Sequence, residues 1–278
     1  MKFEVLVSTM NQTDYSLLEK MNIQTDAIIV NQCNRNSFEE FDYKGHRIKW
    51  LSLEERGVGL SRNTALMRST ADVVLFADDD VVYSDNYFLL IEQNFKKHPN
   101  TDLIVYNLES LNPQRPIVYT KKDYKLCLFN CLKFGACQIA VKTAAIRQNN
   151  IFFSLLFGGG AIYSAGEDSL FMYHALRSKI HMMASATFIG TVAQTESTWF
   201  DGYTEKYFYD KGAFFSALSK KSGWLLCRLM LLKNKKKLFK CGVSYNQGKK
   251  LAKAGLIGFK HNLSYAQWKE SAKGLKNS

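Results

Sequence analysis

Three consecutive aspartates, Asp78, Asp79 and Asp80, close an apolar run (Val73, Val74, Leu75, Phe76) in the stretch ADVVLFADDDVV. Adjacent carboxylates repel one another unless something positive stands among them. A divalent cation resolves this, and Mg2+ in particular takes one or two carboxylates together with substrate phosphates. In an extended segment Asp78 and Asp80 point one way and Asp79 the other. Asp78 and Asp80 could therefore share one cation, with Asp79 helping from behind. A solvated polar turn would use the same residues with no ligand at all. The strand-like run before them favours the metal–diphosphate reading.

A second acidic element is GGGAIYSAGEDSLF, in which Gly158, Gly159 and Gly160 free the backbone and Glu167 and Asp168 open a helix. Negative charge is favourable at a helix start in any case, so capping alone could account for the pair. Placed beside a metal–diphosphate site, a carboxylate here could instead act as general base toward a substrate hydroxyl. A third element, ERGVGLSRNTAL, sets Arg56, Arg62 and Asn63 around two glycines at a loop-to-helix junction. Such junctions hold anions, and arginine adds planar hydrogen bonding to phosphate or carboxylate.

The elements that must position these groups are legible as alternating periods. Apolar runs at 3–9, 26–32, 47–53, 72–77 and 101–109 predict strands, and amphipathic stretches at 15–23, 59–70 and 85–98 predict helices between them. Strands that are apolar on both faces, alternating with helices, predict an α/β domain with a mostly parallel sheet covered on both sides. Ligands of such sheets gather beyond the carboxyl ends of the strands. Here those ends read STMNQ, NQCN and ADDD. Beyond residue 110 the pattern loosens: 134–153 reads as strands or a strand–helix mix, and a helix starts near Ser164 or Glu167.

The charge of +12 is unevenly placed. Twelve lysines from Lys233 to Lys276 face Glu270 alone, so the last sixth of the chain carries nearly the whole excess. From Ala213 onward, apolar residues at helical spacing are followed by lysines, which predicts a basic helical extension suited to an anionic surface. The domain reading is therefore 1–212 for the α/β body and 213–278 for the extension. Glu4 interrupts the first apolar run, so no secretory signal is expected there. No stretch reaches the length of a spanning helix. The six cysteines form no CxxC pair and are expected as reduced thiols.

Taken in order, the glycine-and-RN helix, the DxD at the end of the fourth strand and the ED pair about 90 residues later resemble the family 2 glycosyltransferases of the GT-A fold. The resemblance covers roughly residues 1–200, and STWFDGYTEKYFYDKGAFF is similar to the segment that follows the catalytic domain in bacterial polysaccharide-assembly transferases. It implies a Rossmann-type GT-A sheet flanked by helices and a nucleotide-sugar donor, with UDP the expected nucleotide. Asp78 would sit near the donor ribose and Asp80 would hold Mg2+ or Mn2+ against the diphosphate, Asp79 standing beside them. Thr9 and Asn11 would touch the nucleotide, and Arg62 would steady the diphosphate. Asp168 would take the acceptor proton with Glu167 beside it, inverting the anomeric carbon. The sequence departs from the family after the second strand, where Asn31 and Gln32 stand in place of a base-reading aspartate and are expected to contact the nucleotide, since an amide can still pair with uracil. It departs again downstream of the ED helix, where Gln194 stands in place of a histidine.

The expected acceptor is a hydroxyl of a glycan or a lipid-linked sugar, in a cytoplasmic enzyme that the basic tail could hold at the inner face of the plasma membrane. Nucleic-acid binding is disfavoured because the positive charge avoids the body. Nucleotidyl transfer onto a sugar phosphate would need a Gly-rich basic loop after the first strand, and none is present. A non-catalytic relative that binds nucleotide sugar is a third reading. His174 and His181 are expected to be structural.

Overall fold

The computed structural model describes residues 1–194, 202–235 and 242–274. The chain divides into two compact units, Met1–Ser154 with Asp168–Glu196, and Leu155–Glu167 with Ser197–Ser278.

The first unit is built on one large mixed sheet. Its elements in chain order are β1 (Phe3–Met10), α1 (Leu17–Lys20), β2 (Asp26–Gln32), β3 (Ser37–Tyr43), β4 (His46–Leu53), α2 (Val58–Arg68), β5 (Val73–Asp78), β6 (Val81–Tyr83), α3 (Tyr87–Lys97), β7 (Leu103–Ser110), β8 (Tyr124–Lys125), β9 (Ile139–Lys142), α4 (Thr143–Gln148), α5 (Glu167–Arg177) and β10 (Met182–Val192). The strand order is β3-β4-β2-β1-β5-β9-β7-β10-β6, with β8 paired to β10.

The block β4-β2-β1-β5 is parallel throughout. On one side β3 pairs antiparallel with β4, and on the other β9 runs antiparallel to both β5 and β7, so the expected parallel sheet is parallel in this four-strand block and mixed on either side of it. Successive residues of each central strand go to opposite faces. Val5, Val7, Ala27, Ile29, Leu75 and Ala77 pack with Leu17 and Leu18 of α1 and Tyr87, Ile91 and Phe95 of α3. Leu6, Ile28, Val30, Val74 and Phe76 pack with Ala65 and Leu66 of α2, Ile146 of α4 and Phe171, Met172 and Ala175 of α5. Burial on both faces is why these strands read as continuous apolar runs.

Four strands were not expected from the sequence. β3, of pattern SFEEFDY, is an edge strand that alternates partly buried aromatics with exposed acids. β6 and β8 are three and two residues long, below the window in which periodicity can be read. β10 breaks register between Ala184 and Phe188 and again between Phe188 and Thr191, which blurs its alternation.

The second unit is helical: α6 (Glu205–Leu218), α7 (Gly223–Lys233), α8 (Tyr245–Lys260) and α9 (Tyr265–Gly274). The division expected at residue 212 falls inside α6. Helices α6 and α8 touch backbone to backbone. A Cβ on Gly212 would lie 2.0 Å from the Ala252 carbonyl oxygen, and one on Gly255 would lie 1.8 Å from that of Tyr209. Only glycine fits either place. Phe208, Cys227, Leu231, Leu251 and Ala252 fill the core between α6, α7 and α8.

Candidate active site

Parallel register brings the polar strand ends level. Ser8 pairs with Asp78 across β1 and β5, and Thr9 and Met10 pair with Asn31 and Gln32 across β1 and β2. The three sequences STMNQ, NQCN and ADDD therefore end side by side on one sheet edge, as the strand order requires of a ligand crevice.

At that edge the chain turns immediately after β5, so Asp79 and Asp80 lie in the turn to β6 rather than in extended strand. Each aspartate has its own partner. Asp78 Oδ1 accepts from Arg62 NH2 at 2.8 Å, and Asp79 Oδ2 accepts from Thr9 Oγ1 at 2.5 Å. Asp80 Oδ2 accepts from the backbone N–H of Gln194 at 3.1 Å, just beyond β10. Burial pushes the Asp80 carboxyl above its ordinary value, and the charge of Asp78 pushes it further, with Asp79 a weaker contributor.

Arg62 is the hub of the site. Its side chain is only 4% exposed, yet NH2 reaches Asp78 and NH1 reaches Asp168 Oδ1, both at 2.8 Å. The two carboxylates remain partly open to solvent, at 38% and 25%. The local sequence explains how an arginine is held so deep. A Cβ on Gly59 would meet the Ser154 carbonyl oxygen at 2.4 Å, so α2 can approach the 153–154 segment only with glycine there. One turn on, Asn63 clamps that segment, donating to the Phe153 carbonyl and accepting from its N–H, each at 2.9 Å. The Phe153 ring then lies under the guanidinium at 5.3 Å. Arg56 does not take part: its NH1 donates to the carbonyl oxygens of Cys33 and Glu55.

The residues expected to meet the nucleotide divide. Asn11 is exposed at the crevice edge in the left-handed region, φ 54°, its N–H donating to the Gln32 carbonyl. Thr9 is buried and engaged with Asp79. Asn31 is fully buried, and its amide accepts from and donates to the backbone of Gln12, both at 3.0 Å. Gln32 accepts from the Gly57 N–H at 2.8 Å. Through these bonds Asn31 fixes the loop after β1 and Gln32 fixes the entry to α2. Of the ED pair, Asp168 joins the Arg62–Asp78 group, while Glu167, in the second unit, is buried and accepts from the N–H of Gly166. The loop before it is anchored within that unit: Ser164 donates through N and Oγ to Asp210, which also pairs with Lys206.

Two features were missed from sequence: the Arg62 bridge between Asp78 and Asp168, and the Gln194 N–H on Asp80. The bridge joins residues 106 apart in sequence, and the second contact is made by backbone, which carries no residue-type signal. A separate groove of about 760 Å3 opens where β7 and β10 begin, lined in part by His98, Asp102, Asp123 and His181. Strand direction puts it at the opposite sheet edge, and its acids face Lys142 and Lys97.

Among the described residues no three His, Cys, Asp or Glu side chains form a ready-made metal cage. Two carboxylates, one of them burdened by burial and a like charge, still fit a Mg2+ or Mn2+ whose other ligands come from a diphosphate and water.

A large mixed sheet with carboxylates and a buried arginine at its carboxyl edge defines an α/β fold with a ligand crevice at that edge. Residues 9–146 match the model of the family described as Glycosyl transferase family 2, and the chain belongs to that family. Among solved structures it is similar to S. aureus TarS 1-349 in complex with UDP-GlcNAc, at 17% identity over 93% of this chain and 81% of that one, TM-score 0.66. The complex of the same protein with UDP gives 17% identity over the same shares and a TM-score of 0.64. No curated protein sequence matches the chain.

Proposed function

We propose that this glycosyltransferase transfers a sugar from a nucleoside diphosphate donor, UDP being the nucleotide, to a hydroxyl of a glycan or lipid-linked sugar in bacterial polysaccharide assembly, with inversion at the anomeric carbon. One observation carries the reading: a single buried guanidinium joins a carboxylate at the DxD turn to the Asp of the ED helix. This supports a reading in which Asp78 serves the donor side and Asp168 the acceptor side of one guanidinium fork. The UDP and UDP-GlcNAc complexes of the TarS structures support the choice of donor class.

In this reading Thr9 and Asn11 border the nucleotide, and Asn31 and Gln32 hold the loops that shape its pocket. Asp78 and Asp80 would hold Mg2+ or Mn2+, which when bound offsets the charge of the departing diphosphate. Asp79, tied to Thr9, keeps the turn in place. The acceptor oxygen attacks the anomeric carbon, the bond from that carbon to the diphosphate oxygen breaks, and its electron pair leaves with the nucleoside diphosphate. Asp168 receives the hydroxyl proton, its carboxylate aimed by Arg62. Glu167, the residue before it, would contact the acceptor or orient the loop. The basic C-terminal segment would bring the enzyme to an anionic membrane face, where a lipid-linked acceptor resides.

The test is release of nucleoside diphosphate from a panel of nucleotide sugars, with and without Mn2+ or Mg2+, for wild type, Asp80→Ala and Asp168→Asn. Metal-dependent release that both substitutions abolish is expected. No turnover across the panel, together with no calorimetric binding of UDP plus metal, would remove the reading. Release of pyrophosphate would replace it with nucleotidyl transfer.

A further inference from the structure

Helix α7 of the second unit is apolar on two opposite faces, and only one of them is covered by the described residues. Gly223, Cys227 and Leu231 are buried, facing the core of α6 and α8. On the other side Leu225, Leu229 and Leu232 are 59%, 54% and 51% exposed. At 3.6 residues per turn these three leucines fall within roughly 60° of one another. They form one continuous ridge rather than scattered surface residues, and such a ridge needs an occupant.

The charges around the ridge choose it. Arg228 lies on one flank of the stripe and Lys233 on the other, both exposed, with Lys220, Lys221 and Lys235 exposed at the two ends of the helix. No Asp or Glu occurs anywhere between Asp210 and Glu270. A ridge of leucines rimmed only by cations matches an anionic lipid surface, with acyl chains beneath and phosphate headgroups around. A second copy of the chain fits poorly, because a two-fold contact would set the same cations against each other.

We infer that α7 docks on anionic membrane, with Leu225, Leu229 and Leu232 entering the headgroup boundary and Arg228, Lys233 and Lys235 engaging lipid phosphates. The inference deepens the membrane association proposed above and rests on that reading for its purpose, while its physical basis is the exposed face itself. The helix is 11 residues long, about 16 Å at 1.5 Å per residue, so it lies in the interface and does not span it.

The experiment is co-sedimentation of the full chain with vesicles of phosphatidylcholine alone and of phosphatidylcholine with 30% phosphatidylglycerol. Wild type is expected to bind the anionic vesicles only. A Leu225→Ser/Leu229→Ser/Leu232→Ser variant is expected to lose about tenfold or more in binding, since three partly inserted leucines drive it. Arg228→Glu/Lys233→Glu is expected to erase the preference for anionic lipid. Equal binding by the triple-serine variant would overturn the inference, because lysine electrostatics alone would then suffice. A wild-type dimer that the triple variant converts to monomer would also overturn it, with a second copy as the true occupant. Thermal melting of both variants checks folding, and donor hydrolysis separates the two claims. Vesicle binding without any turnover would sink the transferase reading and leave α7 docking intact, whereas turnover without vesicle binding would do the reverse.

Discussion

The two units solve opposite problems with charge. In the first, carboxylates are crowded at one sheet edge, and nearly every one is matched by a fixed donor: Arg62 for Asp78 and Asp168, Thr9 for Asp79, a backbone N–H for Asp80. In the second, positive charge is left on the surface with few acidic partners, and the interior is held by glycine-mediated contact of α6 and α8. The first unit is thus organised by directional polar contacts whose loss leaves buried charge. The second is organised by shape, and beyond the Lys206–Asp210 and Lys269–Glu205 pairs its described surface cations face solvent. Catalytic geometry needs the former, because a reacting carboxylate must be held to a fraction of an ångström. Surface attachment needs only the latter.

Substitutions can break this contrast, and the largest effect is expected at Asp80. Asp80→Asn should lower transfer about 100- to 1,000-fold by removing an electrostatic contact to the diphosphate side, while raising the thermal midpoint of the metal-free protein at neutral pH. The sign follows from linkage. Burial and Asp78 raise the folded carboxyl above its ordinary value, so the folded state binds its proton more tightly than the unfolded chain. Stability is therefore lost as pH rises out of the ordinary carboxylate range. The asparagine lacks that loss, and a calorimetric series from pH 4 to 8 would show a flatter profile. A lower midpoint for the variant at every pH would mean that the crowding of acids is not a source of strain.

Next comes Arg62→Ala. Removing the fork leaves Asp78 and Asp168 facing each other across a cavity. We expect a loss of about 2–3 kcal/mol in denaturant unfolding, below the range for fully buried pairs because both carboxylates are partly exposed. Transfer should fall about 100-fold through lost orientation. Arg62→Lys should recover stability better than activity, since an ammonium cannot present two parallel prongs.

The matching substitution in the second unit is Gly255→Ala. Its new methyl carbon would overlap the Tyr209 carbonyl, so α6 and α8 must separate, at a cost of about 3 kcal/mol. Calorimetric binding of UDP, proposed above for the first unit, should be unchanged; a parallel loss of UDP affinity would show that the contrast between units is not real. The smallest effect is expected for Asn31→Ala, which unpairs the N–H and C=O of Gln12. It should cost about 1–2 kcal/mol and raise KM for the donor more than it lowers kcat. A kcat loss with unchanged KM would instead place Asn31 at the reacting centre.

Much of this was readable in advance where burial is symmetric. β1, β2, β4 and β5 are buried on both faces, so their apolar runs carry no ambiguity of register or face, and the level endings of Ser8, Thr9, Asn31 and Asp78 follow from parallel pairing. The second half of the sheet was less legible. β9 enters antiparallel, β10 shifts register twice, and β6 and β8 are too short to show a period. The extension was read as starting at Ala213, where lysines and apolar residues dominate, yet α6 already begins at Glu205, capped by Thr204.

The sequence alone determined which residue types could do chemistry and the order in which they occur: DDD after an apolar strand, RN in a glycine-flanked helix, ED after a glycine loop. Those follow from local rules of period, charge and backbone freedom. Only the tertiary structure decided which of them meet. Arg62 reaches Asp168 across 106 residues because Gly59 and Asn63 seat α2 on the 153–154 segment, and Asn31 pairs with the backbone of Gln12. Partner choice among polar side chains is set by distance and burial at the folded sheet edge, and neither quantity is written in any single stretch of chain.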